Sequence, residues 1–419
     1  MTTAVLRVMS VSLRSISLRL AAALALAVLL WVTHAAWLNG PAPVYVVAAN
    51  LVRSGEFDAR VYDDDGYAAR VVEATHGAVS DTFAPNSPTL ALLLLPLSAV
   101  SDSALRVLWA AANFAALCVS VALVLSTLAP NGRIDGRRLT LLGAGAMASA
   151  PLYENLKGVS GGQVYLFILL LHAAAFWAVL RGRESLAGIW LGLLLALKVN
   201  GWPIWIVLLV LKRWRVLGWA IGATLALGLF TLMIFGADVW RAYLTHTLPA
   251  WSTGAFAAVP AYQSLNGFFQ HLFRYDSVWN PAPMLDAAWL AGLAPALASA
   301  VLLVVSAARS RRLPLSHAMA AGVVLSAILS PLAEQYHFLI LVVPFGAALS
   351  ATAHHAVRWR VLLGLAAALI VVALPYKDSR IHSGALALVA YPRLYGALAL
   401  WGLLVFAPRP VVMAASELR

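Results

Sequence analysis

The chain has 419 residues, of which 62% are hydrophobic and 11% charged, and its mean hydropathy is +0.85. Soluble domains carry charge on about a quarter of their residues, so a soluble globular fold is excluded and a polytopic membrane protein remains. The net charge of +12 does not point to nucleic acid, because the arginines gather in short turns at the ends of apolar segments, where they set topology.

Residues 1–38 carry Arg7, Arg14 and Arg19 ahead of an apolar stretch, with no small-residue cleavage site before Trp37 and Leu38. The expectation is an uncleaved first span, with a cleaved secretory signal as the alternative. Residues 39–88 form the first long polar interruption and hold seven of the seventeen acidic residues, Glu56, Asp58, Asp63, Asp64, Asp65, Glu73 and Asp81. They read as a first extracytoplasmic, catalytic loop; a solvated loop balanced by Arg53, Arg60 and Arg70 is the plainer alternative. The hexapeptide Phe83-Ala84-Pro85-Asn86-Ser87-Pro88 then leads into an apolar run, 89–100, too short to cross ~30 Å of hydrocarbon. That run is expected to be a short re-entrant element.

Candidate spans cover 18–38, 105–128, 140–150, 164–180, 186–197, 202–211, 217–235, 287–307, 315–329, 338–349, 361–374 and 394–405, about twelve transmembrane helices in a single membrane domain, 1–419. With the Met1 end cytoplasmic and 89–100 re-entrant, the basic turns at 133–138, 181–183, 212–215, 309–312 and 358–360 all fall inside. The polar loops 39–88, 153–163, 199–201, 236–284, 331–336 and 376–384 then share the external face. Cys118 is the only cysteine, so no intramolecular disulfide forms and a thiolate metal site is not expected.

Three of the four lysines, Lys157, Lys198 and Lys377, fall on that external side, against the usual bias. Lys198 lies only about fourteen residues, roughly 21 Å of helix, beyond the basic turn at 181–183, and so below the external surface. A charge at that depth needs a cavity or a partner, which marks a functional position; snorkelling to the interface is the alternative. Glu154 either joins the same cavity or pairs with Lys157 at helical spacing. Gly161-Gly162-Gln163 opens the next span, and its glycines allow a close approach in which Gln163 can turn an amide into the cavity.

The long external loop 236–284 holds Trp240, Trp251, Tyr262, Phe268, Phe269, Tyr275 and Trp279, mostly expected as interface anchors. Between them Gln263-Ser264-Leu265-Asn266 offers neutral groups suited to sugar hydroxyls. In Ser330-Pro331-Leu332-Ala333-Glu334-Gln335-Tyr336-His337, Glu334 and His337 are three apart, too few ligands to expect a metal.

External carboxylates, a sunken lysine and an apolar re-entrant element together suit a lipid-phosphate-linked sugar. The isoprenoid tail would lie on the spans, the phosphate would meet Lys198 or a loop arginine such as Arg60, and a carboxylate would deprotonate the acceptor hydroxyl. No metal or other cofactor is called for, since a lipid monophosphate leaves with little charge, and no Gly-rich nucleotide loop is present. A membrane transporter or flippase for a lipid or sugar is the alternative, although no internal repeat or matched pair of broken helices is visible.

Several short motifs carry a resemblance. They are Val44-Tyr45 through Ala48-Ala49 and Gly55, Phe83 to Pro88 leading into Leu92 to Pro96, Gly162-Gln163-Val164, Leu186-Ala187-Gly188 through Ala196-Leu197-Lys198, Gln263-Ser264-Leu265, and Ser330-Pro331 through His337. In their order the chain resembles the bacterial membrane glycosyltransferases of the GT-C fold that use polyprenyl-phosphate sugars, in the group containing the phosphatidylinositol-mannoside mannosyltransferases, glycosyltransferase family 87. The resemblance implies an aspartate base in the first external loop, opening an Asp-x-x-Val-Tyr pattern. Pro41-Ala42-Pro43-Val44-Tyr45 has proline at the acid's place, whereas Asp58-Ala59-Arg60-Val61-Tyr62 keeps the acid, so Asp58 is the expected base with Asp63 and Asp64 beside it. A cluster of like charges would also raise the pKa of one member.

The resemblance implies a polar substrate pocket from Asn86 and His337, to which the residues themselves add Gln163, Gln263 and Glu154. Its pattern often has two adjacent histidines where this chain has Tyr336-His337, which points to a different acceptor. The expectation is thus an all-α, GT-C-like, multi-pass protein of a bacterial inner (cytoplasmic) membrane. It would move a hexose, in first place mannose, from a polyprenyl phosphate to a lipid-linked or glycan acceptor in the cell envelope, with inversion and without a metal. The topology is open to a direct check: an impermeant thiol reagent should label Arg137→Cys only after the cytoplasmic side is opened, and labelling from outside intact cells would overturn the re-entrant assignment.

Overall fold

The computed structural model describes residues 40–128, 142–143, 145–146, 149–157, 162–253, 258–352, 357–381 and 383–407. The expected first span at 18–38, the basic turn at 133–138 and parts of the span at 140–150 lie outside the described residues, as does the Lys157 side chain expected to pair with Glu154. Among the described residues the chain is helical, with one isolated bridge between Asp276 and Asn280 and no strand.

The first loop folds as helices α1 (Pro43–Ser54) and α2 (Asp64–Ala74), joined by a 3-10 turn at Ala59–Tyr62. The apolar run after it is α3 (Pro88–Leu94) continued by 3-10 residues Leu95–Ala99, roughly 20 Å in all and short of a bilayer. Then come α4 (Asp102–Leu128), α5 (Ala150–Lys157), α6 (Tyr165–Leu180), α7 (Glu184–Lys198), α8 (Trp202–Val210) and α9 (Trp214–Phe235). The long loop at 236–284 is itself largely helical, with α10 (Ala237–Ala242), a π-helical turn at Tyr243–Thr247, α11 (Leu248–Thr253) and α12 (Leu265–Phe273). The chain ends in α13 (Ala288–Ser310), α14 (Leu315–Ile328), α15 (Val342–Thr352), α16 (Val357–Val371) and α17 (Pro392–Phe406). Among the described residues α4, α9 and α13 are each long and apolar enough to cross a membrane, and α6, α14 and α17 are shorter apolar helices.

Each helix forms where the sequence allows it to start. Proline stands in the first two positions of α1, α3, α8 and α17, where its missing N–H costs nothing. Packing then sorts the helices. In α14 every residue from Ala318 to Ile328 is buried, because α6, α8, α13, α15 and α17 surround it and no polar face is required. In contrast α13 turns Trp289, Leu293, Leu297 and Val301 outward at every fourth position, and α9 exposes Trp219, Ile221, Leu225 and Leu229. These stripes belong in lipid, and the protein is a membrane protein.

Among the described residues the basic turns at 181–183, 212–215 and 309–312 gather at one end of this bundle. Arg213 approaches Glu184 at 3.8 Å, Arg181 donates to the Ser126 carbonyl at 2.9 Å, Arg311 to that of Val210 at 3.3 Å and Arg309 to that of Val405 at 3.2 Å. The polar loops gather at the other end.

Helices α7 and α9 pack backbone to backbone, and small residues make it possible. A Cβ on Gly188 would lie 2.5 Å from the Val216 carbonyl oxygen, and one on Gly192 would lie 2.6 Å from that of Ala220. The Gly188-x-x-x-Gly192 spacing therefore lets two backbones touch, as small residues do in membrane helix pairs, and the Thr224 hydroxyl donates across the seam to the Gly192 carbonyl at 3.2 Å. Gly192→Ala should destabilise the protein by about 1–3 kcal/mol through overpacking, read as a lower unfolding temperature in detergent, whereas Gly218→Ala, whose Cβ meets nothing within 4 Å, should cost little.

Candidate functional site

The hexapeptide before α3 is fixed from all sides. Phe83 is fully buried, with the rings of Phe57, Tyr62 and Tyr67 at 5.7, 6.1 and 5.8 Å, so α2 and the segment joining it to α1 grip it. The peptide bond to Pro85 is cis. Tyr62 donates its hydroxyl to the Asn86 carbonyl at 3.0 Å, and the Asn86 amide donates to the Phe83 carbonyl at 2.5 Å. That leaves the other end of the Asn86 amide free to face inward.

Ser87 does two jobs. It caps the N-terminus of α3, accepting from Leu90 N at 3.3 Å, and its hydroxyl donates to the carbonyl of Ala196 at 2.6 Å, with that of Leu197 at 3.0 Å. Those carbonyls are among the last of α7, which no intrahelical N–H can reach. The contact brings Asn86 to the residue that ends α7, and Lys198 Nζ donates to Asn86 Oδ1 at 2.7 Å. A cation at a helix C-terminus is also favoured by the aligned peptide dipoles. The ammonium lies 5.4 Å from the centre of the Tyr165 ring, and that ring packs on His337 at 4.1 Å and Tyr336 at 5.0 Å.

Asn86, Lys198, Tyr336 and His337 line one cavity of about 130 Å³, whose wall also includes Tyr45, Asp81, Thr82, Gln163, Trp251, Tyr262 and Glu334. Gln163 is placed by Gly162, whose φ of +83° and whose backbone contact with residues 40–42 admit no side chain; Ala42 N donates to the Gly162 carbonyl at 3.1 Å. Tyr45 then donates its hydroxyl to Gln163 Oε1 at 2.5 Å. On the far wall the turn at 331–337 is held by Gln263 and Ser264. Gln263 donates from its backbone to Ala333 O at 2.8 Å and from its side chain to Ala390 O at 2.9 Å, and the Ser264 hydroxyl donates to Pro331 O at 2.9 Å.

Of the residues expected from sequence, the structure brings Lys198, Asn86, Gln163 and His337 together in the cavity wall. Gln263 is fully buried behind it as the clamp on the 331–337 turn. Glu154 sits on α5, in electrostatic reach of Tyr376 and Arg393 rather than in the lining. Asp58 and Arg60 face solvent and bind each other at 2.5 Å, and this pairing holds the Asp58 carboxyl below its usual range. Asp63 is exposed ahead of α2. Asp64 is half-buried and in hydrogen-bonding contact with Thr82; burial pushes its carboxyl up, and Thr82 opposes the shift. None of Asp58, Asp63 and Asp64 belongs to the cavity lining.

The carboxylates that do belong are Asp81, which accepts from Thr82 N at 2.8 Å, and Glu334, which accepts from the Tyr336 hydroxyl at 3.2 Å. Burial raises the Glu334 carboxyl, against the lowering influence of Lys377 and Tyr336. Asp81 has a signal in the sequence after all, since it stands two residues before the hexapeptide that bears Asn86. Tyr45, Trp251 and Tyr262 add aromatic faces of the kind that pack on sugar rings. Among the described residues no three His, Cys, Asp or Glu side chains converge as a metal set.

Ser87→Ala would strip two α7 carbonyls and the α3 cap of their partner. The expected loss is about 1–2 kcal/mol of stability, measured as a lower unfolding temperature, with weaker binding of a phosphate-bearing lipid. A cavity with one cation, two carboxylates, three neutral hydrogen-bonding side chains and several aromatic rings can hold a phosphorylated sugar and take a proton from a hydroxyl.

A family model described as glycosyltransferase family 87 matches residues 84–331, more than half of the chain. No curated protein matches, and neither does any solved structure.

Proposed function

The chain belongs to glycosyltransferase family 87 and is a glycosyltransferase, and from that premise we propose that its cavity moves a hexose, in first place mannose, from a polyprenyl phosphate to a lipid-linked or glycan acceptor. The observation that carries the reading is the Lys198 ammonium, delivered by the end of an apolar helix to Asn86 inside a cavity that also holds two carboxylates. A phosphate is a stronger partner for an ammonium than a neutral amide, so the donor phosphate takes the place of Asn86 Oδ1 on Lys198. The isoprenoid tail lies along the apolar helices.

Asp81 is the proposed base. It lies in the first loop, where the resemblance calls for an aspartate, and it faces the cavity. It takes the proton of the acceptor hydroxyl as that oxygen bonds to the anomeric carbon; the bond from that carbon to the phosphate oxygen breaks, and polyprenyl phosphate leaves with its charge held by Lys198. One displacement inverts the anomeric carbon and calls for no metal. The position of the cavity at the end of the bundle opposite the basic turns supports an external active site on a bacterial inner membrane.

Asp81→Asn should lower the initial rate of sugar transfer by about 100-fold or more when purified protein in detergent is given polyprenyl-phosphate mannose and a panel of lipid and glycan acceptors. Asp58→Asn, Asp63→Asn and Asp64→Asn are measured alongside. A loss confined to one of those three would move the base to that residue, and wild-type protein that turns over no donor with any acceptor would sink the reading.

A further inference from the structure

His172 is a buried titratable group with no place in the mechanism above. It lies inside α6 with no exposed surface, outside the cavity lining. Its Nε2 is 2.8 Å from Asn200 Oδ1, and its Nδ1 has no partner among the described residues. A polar ring in such a position is costly unless its one hydrogen bond matters.

Asn200 belongs to the turn that follows Lys198. Val199 has φ 47° and ψ 39°, a left-handed conformation that a β-branched residue adopts only under constraint. Two backbone bonds hold the turn, from Val199 N to Leu195 O at 3.0 Å and from Asn200 N to Leu194 O at 3.3 Å. The side chain of Asn200 adds the third tie, to His172, and Gly201, at φ 80°, carries the chain on into α8. Lys198 is the last helical residue before this strained turn, so it is the first to fray if the turn relaxes.

We propose that His172, acting through Asn200, is a positioning residue that locks the turn after α7 and so holds the Lys198 ammonium where a donor phosphate binds. The inference rests on the reading of Lys198 as the phosphate ligand, and a double-mutant cycle separates the two. Full-length protein in detergent is titrated with polyprenyl phosphate and with polyprenyl-phosphate mannose, and dissociation constants are read by calorimetry for wild type, His172→Phe, Lys198→Ala and the double variant.

Lys198→Ala should weaken binding about tenfold or more and His172→Phe about fivefold, while the double variant binds no worse than Lys198→Ala alone. His172→Gln, which keeps an N–H for Asn200, should return binding to within about twofold of wild type. A fivefold loss that recurs in full on the Lys198→Ala background, or no loss at all in His172→Phe, overturns the positioning role. An ineffective Lys198→Ala instead overturns the phosphate reading. If His172→Phe does not fold, Asn200→Ala breaks the same bond from its other side and enters the same cycle.

Discussion

The end of α7 is finished by a hydroxyl from elsewhere in the chain. A helix that ends buried in protein leaves carbonyls that water cannot reach, and each costs about 1–3 kcal/mol if left without a partner. Ser87 supplies the proton for those of Ala196 and Leu197 from 109 and 110 residues away. The same contact puts Asn86 beside Lys198. Because the hexapeptide is gripped by Phe57, Tyr62 and Tyr67, the first loop, α3 and α7 are fixed to one another at a single point, and the cavity opens there.

The other walls are built by similar means, with side chains standing in for missing backbone partners. Gln263 joins the 331–337 turn to the start of α17 through three main-chain contacts, and Gly162 lets the entry of α6 lie flat on residues 40–42. Among the described residues, loops remote in sequence are therefore held without a sheet and with few ion pairs. The charged pairs that do occur, such as Asp58 with Arg60 and Asp378 with Arg380, are exposed at one or both partners and add little to stability.

Much of the helical order was legible in the sequence. The apolar runs at 164–180, 186–197, 217–235, 315–329 and 394–405 correspond to α6, α7, α9, α14 and α17 within a few residues, because unbroken hydrophobicity between basic turns leaves a membrane chain little choice. Helix within the loop at 236–284 was not legible, since its aromatic residues suit an interface anchor and a buried helix face equally well. In the site, Lys198 stood out because a charge at that depth is anomalous, and Asn86 through its unusual hexapeptide. The carboxylates were harder. Asp58, Asp63 and Asp64 attract notice as a cluster, yet a cluster is also what a solvated surface produces; Asp81 and Glu334 are isolated in sequence, and only the folding of two distant loops around one cavity brings them together. His172 and Asn200 carried no signal at all, being 28 residues apart in unrelated segments.

The bond from Lys198 to Asn86 also has a consequence for the order of events in the proposed reaction. The part-buried ammonium already waits on a neutral amide, so an arriving phosphate exchanges one partner for a better one. The exchange releases Asn86 Oδ1 into the same space. An acceptor atom thus becomes vacant only once the anion is seated, and a sugar hydroxyl can claim it, which links anchoring of the carrier to inspection of its cargo through a single side chain.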